Sequence, residues 1–553
     1  MSALIILSLT LPLLASGFVL LPASRAATLQ LAPFAPLPAL ALALSAPIGT
    51  ELDLPSLLLG TRFGLDQTGR MFLLFTSFVW LISGWFAKGY LYDDARRHWF
   101  WAFFLATQAG NFGLCIAQDA ASFYFLFALM TFAAYGLVVH TATPEAFRAG
   151  RIYLIMAVIG EAALVTGLLL AVHAGAGHLM PALAAAPVSG ATVALLLGGF
   201  GIKAGLPLLH LWLPLAHPVA PVPASAVLSG VMLKAGLLGW LRFLPLGSAA
   251  MPEAGSILMT LGLVAMFFGV AVGLTQSNVK VLLAYSSISQ MGFMALGVGA
   301  GLVAPALWPL LLPAVTLYAS HHALAKSALF LGSGVAKTWP GNRLVLIGLA
   351  LPALALAGMT FTSGALVKTG LKYALAGMPA PWPDVLDWLL PIAAMGTALL
   401  LTRFMILAAD RSTEENHRGM VVPWTLLLLA VAASSWWLAP DGAAAQVLGW
   451  DALLASAWPV LAALLIAAPI WRRGWRVPSI PPGDLVVPLE ASYAAMMRRR
   501  ISLPALPQLP AYFSEHQTIW SRLENAMQNW MVAGILWLVL LFVLGWFFVG
   551  SRG

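Results

Sequence analysis

Apolar residues recur in runs of about 20 from one end of the chain to the other, separated by short polar or charged stretches and without the strict alternation of a barrel strand. Read with turn and charge punctuation, the runs predict spans near 1–22, 28–48, 68–90, 98–117, 119–140, 151–175, 190–213 and 222–245. The second half continues near 255–275, 279–300, 304–336, 344–378, 386–409, 422–439, 455–471 and 530–550. Only helices satisfy the backbone of so many lipid-buried segments, so an outer-membrane barrel is excluded. The expected fold is an all-α integral membrane protein of about 16 transmembrane helices.

Two lysine-bearing segments disturb this pattern. GIKAGLPLL in the first half and TFTSGALVKTGLK in the second each interrupt a span with Gly or Pro beside a lysine. Paired broken helices of this kind predict two inverted repeats with an ion site at each break. The expected divisions are N-terminal transmembrane helices over 1–117, a first half-channel repeat over 118–245 and a second over 255–409. C-terminal transmembrane helices over 410–471, a cytoplasmic surface segment over 472–529 and a final helix over 530–553 follow. The surface segment carries Arg498, Arg499 and Arg500, a proline-rich SLPALPQLP, and an amphipathic SEHQTIWSRLENAMQNW opening on a capping Ser514. That composition suits either partner docking or a tether to the last helix.

Basic residues sort the loops by side. Arg25, then Arg96 and Arg97, then Arg148 and Arg151, Lys337 and Arg343, Arg411 and Arg418, and finally Arg472, Arg473 and Arg476 all follow odd-numbered spans. The positive-inside rule then places both termini on the periplasmic side of a bacterial inner membrane. The N-terminal stretch MSALIILSLTLPLLASGFVLLPASRAA imitates a secretory signal but has no basic n-region, so it is read as a retained first span.

Composition agrees with this reading: 61% of the 553 residues are hydrophobic and 9% charged, against roughly 25% charged in soluble domains. A net charge of +8 would suggest nucleic acid in a soluble protein, but here the basic residues cluster in short loops and nucleic acid is not expected. The single Cys115 leaves no disulfide and no thiolate cluster. No nucleotide loop, haem motif or metal cluster is visible, so no cofactor or metal is expected and the chain has no redox chemistry of its own.

The ionisable residues inside predicted spans are therefore the informative ones: Glu161, Lys203, His210, Lys234, His321, His322, Lys326 and Lys368. Lys280 and Lys372 lie near helix ends, where a lysine can snorkel to the interface. The other four lysines sit deeper, where a charge costs several kcal/mol unless it is used or compensated. Such lysines exchange protons when burial or a neighbouring charge alters their affinity, and His321 and His322, about one helical turn before Lys326, are placed to bridge adjacent lysines.

At these residues the chain resembles the antiporter-like proton-pumping subunits of respiratory complex I, of group 4 membrane-bound hydrogenases including formate hydrogenlyase, and of Mrp cation/proton antiporters. The resemblance runs from FGLDQTGRMFLLFTS near residue 63 to the Lys368 helix, and its most specific piece is KAGLPLLHLWLPLAHPVAPVPASAVLSGVMLKAGLLGWLR. VKVLLAYSSISQMGF, SHHALAKSALFLGSG and SGALVKTGL match further on. By motif, Lys203 resembles the lysine of the family's broken seventh helix, Lys234 that of the eighth, Lys326 with His321 and His322 the central hydrophilic axis, and Lys368 the terminal residue of the broken twelfth helix. Glu161 resembles a sixth-helix acid of some members. One departure is plain: Ala128 stands where members usually carry a fifth-helix glutamate that pairs with the first lysine.

The resemblance implies a proton-translocating membrane subunit, relaying protons through buried Lys and His residues within a complex I-like or hydrogenase-like assembly, with other membrane and peripheral subunits and lipid as partners. The alternative it leaves open is the ion-conducting, energising subunit of a transport system, for inorganic-carbon uptake or Mrp-type cation/proton antiport.

Overall fold

In a computed structural model, the described residues are 1–498 apart from 59, 186–187, 411–418, 438–448 and 474–478. The predicted span 530–550, the Ser514 stretch, and Arg411, Arg418 and Arg476 lie outside them. The chain divides into two compact units, one of Met1–Leu52 and Phe63–Asp484, the other of Asp53–Arg62 and the residues from Leu485 onward.

The larger unit is a multi-pass helical membrane protein. Its helices are α1 (Ser2–Phe18), α2 (Pro22–Leu31), α3 (Leu37–Ser45), α4 (Gln67–Tyr90), α5 (Arg97–Ile116), α6 (Ala120–Val138) and α7 (Pro144–Ala171). They continue as α8 (Met180–Ala185), α9 (Gly190–Ala204), α10 (Leu213–Val219), α11 (Val222–Val227), α12 (Leu233–Phe243), α13 (Pro252–Leu274) and α14 (Val279–Val303). Then come α15 (Trp308–Thr338), α16 (Arg343–Ala357), α17 (Ser363–Leu375), α18 (Trp382–Ala408), α19 (Val421–Trp437) and a helix over Trp450–Arg472. The smaller unit contains a helix over Val486–Arg498 and an ion pair between Arg62 and Asp53 at 2.6 Å.

Among the described residues, nine helices are long and apolar enough to cross a membrane. Lipid offers no partner for the first amides of a helix, and side chains supply them. Asp66 caps α4 at the Gly69 amide, Asp119 caps α6 at Ser122, Ser189 caps α9 at Thr192, and Asn278 caps α14 at Lys280 and Val281. The cap of α4 also pairs with Arg242 near the end of α12, tying the two helix ends together.

Several predicted spans depart from continuous helix. α9 stops at Gly205, whose φ of 74° gives the left-handed turn that leads into Pro207. The run predicted as one span over 344–378 is two half-helices, α16 and α17, separated at Gly358, with φ 88°. The interruption covers 358–362, overlapping the first three residues of TFTSGALVKTGLK instead of falling at its glycines: Gly364 lies inside α17, where a Cβ would strike the Ala355 carbonyl of α16. The third was not expected, because 222–245 reads as an unbroken span: α11 and α12 are joined by a π-helical turn over Leu228–Met232. The predicted span 28–48 is likewise α2 and α3 joined by a tight turn over Ala32–Phe34.

α14 is the buried axis, with its apolar window 100% buried. It packs along α13 through glycines seven residues apart. A Cβ built on Gly255 would lie 2.6 Å from the Gly299 carbonyl, on Gly262 2.7 Å from the Gly292 carbonyl, and on Gly269 2.6 Å from the Tyr285 carbonyl. Small residues let the backbones touch where hydrophobicity alone gives no preference between helix and lipid. α15 is longer, at 31 residues, yet Ser320, His321, His322, Lys326 and Ser327 make it too polar to count among the nine apolar helices, and all five are buried.

Gly262→Ala is therefore expected to destabilise the protein by about 1 to 3 kcal/mol through overpacking. Gly198→Ala, at a position with nothing within 4 Å, is expected to be neutral or to stabilise by up to about 1 kcal/mol. Thermal unfolding of the purified full-length chain in detergent measures both, and equal melting temperatures would contradict the packing account.

Candidate functional site

Lys203 sits in the last turn of α9, where free carbonyl groups favour a cation. Its Nζ stands 5.6 Å from the Phe127 ring, 5.5 Å from Tyr153 and 5.7 Å from Trp212, an aromatic cage around a buried ammonium. It also donates to the Tyr153 hydroxyl at 3.4 Å. Trp212, beyond the break, donates its indole N–H to the Ile202 carbonyl at 2.8 Å and so pins the interrupted chain back onto α9. Glu161, 6% exposed, lines the same small cavity as Lys203, and neither of its oxygens has a hydrogen-bond partner among protein groups. Residue 128, beside the cage member Phe127, is the alanine noted above. The structure thus brings Glu161 and Lys203 into one pocket without an ion pair.

Lys234 owes its position to the π-turn. There the Leu233 amide bonds back five residues to Leu228, and the neighbouring Ser229 carbonyl accepts Lys234 Nζ at 2.8 Å. Lys326, on α15, donates to the Leu283 carbonyl of α14 at 3.0 Å. Between the two lysines stand two hydroxyls: Ser229 Oγ and Ser287 Oγ are 2.6 Å apart, and Ser287 Oγ donates to the same Leu283 carbonyl at 3.0 Å. All four side chains are buried.

His321 and His322 do not bridge the lysines directly as expected. His321 Nδ1 is 2.8 Å from Ser363 Oγ at the start of α17, and neither nitrogen of His322 has a protein partner. The cause is geometric: a histidine four or five residues before a lysine shares its helix face but reaches a neighbouring helix first. Ser363 leads to Lys368, five residues along α17, whose Nζ donates to the Ala357 carbonyl at the end of α16 at 2.9 Å and lies 5.5 Å from the Phe293 ring. Lys368 is half-buried, shallower than the other three. Lys372 is exposed and pairs with Asp387 at 3.0 Å.

Sequence reading missed Ser229, Ser287 and Ser363, because a serine in an apolar helix carries no signal of its own. It also missed Asp484. That residue belongs to the segment expected along the surface, yet its side chain is 9% exposed and its carboxylate lies 3.3 Å from His210 Nε2.

A larger cavity of about 680 Å³ opens where α4, α6, α13, α15 and α18 end, the face that bears the predicted basic loops. Asp94, His140, Ala220, Asn278, Lys280 and Ser333 are part of its wall. Lys280 Nζ donates to the Ala220 carbonyl at 2.7 Å, so it faces this cavity. His140 Nε2 lies 2.9 Å from Asp94 Oδ2. Burial pushes the Asp94 carboxyl up, but the hydrogen bonds from His140 and the Arg96 amide outweigh it and hold the group below its ordinary value. Burial holds His140 below its ordinary value despite the carboxylate.

Residues 117–344 match the family described as NADH:quinone oxidoreductase/Mrp antiporter, transmembrane. The chain is 30% identical over 366 residues to NADH-quinone oxidoreductase subunit N of Desulforudis audaxviator, covering 63% of this chain and 71% of that protein. It is 31% identical over 288 residues to hydrogenase-4 component B of Escherichia coli strain K12, covering 49% of this chain and 42% of that one. The chain spans about half the length of several curated relatives it matches. Its fold superposes on a chain of the Mrp complex from Dietzia sp. DQ12-45-1b with a TM-score of 0.67 and 21% identity, covering 98% of this chain and 63% of that one. With broken helices, buried lysines and a relative matched over most of its length, the chain belongs to the NADH:quinone oxidoreductase/Mrp antiporter family of membrane subunits.

Proposed function

We propose that the chain translocates protons across a bacterial inner membrane through Glu161, Lys203, His210, Lys234, His321, His322, Lys326 and Lys368, as a subunit of a complex I-like or hydrogenase-like assembly. The basic loops and the large cavity face the cytoplasm in this reading, by the positive-inside rule. One observation carries it: Lys234 and Lys326 rest on backbone carbonyls, with two serine hydroxyls between them and no paired carboxylate among the described residues. Charges so held repel one another and gain nothing from an ion pair, which makes them expensive as structure and useful as carriers.

The steps follow from position. A partner-driven shift at Glu161 alters the field at Lys203. The change passes to Lys234, whose proton crosses the Ser229 and Ser287 hydroxyls to Lys326. His321 and Ser363 then lead to Lys368, which exchanges with one side of the membrane. The Asp484 contact holds His210 and the α9 break in place meanwhile.

The alanine at 128 supports a second reading, in which the chain energises a transporter by cation/proton antiport or ion flow. The partners that copurify with the native assembly separate the two, as does replacing protons with sodium.

In proteoliposomes of the native assembly, Lys203→Ala and Lys326→Met are each expected to lower coupled proton flux by about 100-fold. Lys326→Met is also expected to leave unchanged or raise the melting temperature, because a well-packed apolar side chain replaces a buried charge. Wild-type flux in both variants would refute the relay. In an Ala128→Glu background, Glu161→Ala is expected to keep its proton flux, whereas in the wild-type background it is expected to lose it. Equal loss in both backgrounds would show that Glu161 does not stand in for the missing acid.

A further inference from the structure

His217 lies outside the relay described so far, and none of its described contacts requires a histidine there. It closes α10 on the cytoplasmic side of the break, with 0% exposure, and neither Nδ1 nor Nε2 has a hydrogen-bond partner among protein groups. Its ring stacks on Phe330 at 4.6 Å and 24°. A phenylalanine would stack there equally well without burying two polar atoms.

Its neighbours give it a direction. Phe330 is one turn beyond Lys326 on α15, a rise of about 6 Å, and Ser333 is nearly one turn further, about 4.5 Å. Ser333 lines the large cavity, as does Pro218, the residue after His217. Ser225 Oγ donates to the His217 carbonyl at 3.2 Å, and Lys280 holds the Ala220 carbonyl at 2.7 Å, so the backbone is fixed at this level. The charges of Lys280 and Lys326 both act on the ring; Lys280 lines the cavity, and Lys326 lies one turn before Phe330 on α15.

We propose that His217 is the proton-transfer residue between the 680 Å³ cavity and Lys326, and that the cavity, with the Asp94 and His140 pair in its wall, is where protons from water are collected. The inference rests on the relay proposed above and adds a second route into it, by which Lys326 is refilled from the cavity once its proton has moved on toward Lys368. A proton accepted at one ring nitrogen from the cavity, and one released from the other nitrogen to the Lys326 amine, leaves a neutral imidazole of the opposite tautomer. A half-turn of the ring about its Cβ–Cγ bond, within the stack on Phe330, returns each nitrogen to its starting side and completes the cycle with one proton moved.

The test compares His217→Phe, which keeps the ring stacked on Phe330, with Lys326→Met and the wild type in proteoliposomes of the native assembly. The expected result is a loss of proton flux of about tenfold or more in His217→Phe, at unchanged subunit content and melting temperature. If Lys326→Met is inactive while His217→Phe stays within about twofold of wild type, the relay stands and this inference falls. If Lys326→Met transports like wild type, the relay itself fails and the inference with it. A second measurement covers a His217→Phe protein that does not assemble: exchange of the imidazole C2 hydrogen in deuterated buffer, followed by mass spectrometry of the wild-type chain. Exchange at His217 approaching that of the exposed His173 supports access from the cavity, and absence of exchange overturns it.

Discussion

The constraint on which the rest depends is the burial of lysine ammonium groups without paired carboxylates. Lys203 has an aromatic cage, Lys234 the Ser229 carbonyl, Lys326 the Leu283 carbonyl and Lys368 the Ala357 carbonyl. A regular helix has few carbonyls to spare, because each is taken by the amide four residues on. Each irregularity of the fold therefore has a use. The break at Gly205 leaves Lys203 at a helix end, the break at Gly358 leaves the Ala357 carbonyl for Lys368, and the π-turn turns Ser229 toward Lys234. The glycine contacts between α13 and α14 keep the Leu283 carbonyl and Ser287 in place against α15.

The same constraint explains which parts of the molecule were legible in sequence. Lipid-buried helices announce themselves as apolar runs, and a lysine inside such a run is conspicuous, so the membrane fold and the four lysines could be read directly. Gly205 with Pro207 marked the first break because both residues resist helix. The second was displaced by a few residues, since Gly364 serves close packing and Gly358 supplies the left-handed turn; the two roles look alike in a string of letters.

The π-turn was invisible because Leu228–Met232 has no residue that forbids α-helix, and its form follows from what α12 packs against. Ser229 and Ser287 belong to helices 58 residues apart in the chain, so their meeting is a property of the fold alone. Asp484 was misread for the related reason that a polar residue in a polar segment gives no hint of burial. His217 is a further case: it falls between two predicted spans, and its significance appears only once Phe330 and the cavity are in view.

The central claim is that a proton passes between Lys234 and Lys326 across the Ser229 and Ser287 hydroxyls. Ser287→Ala tests it most directly, since the variant leaves every charged group in place and removes one hydroxyl from the buried bridge. Proton flux through the reconstituted native assembly is predicted to fall by about tenfold or more, with both lysines present and subunit content unchanged. Flux equal to wild type would contradict the account.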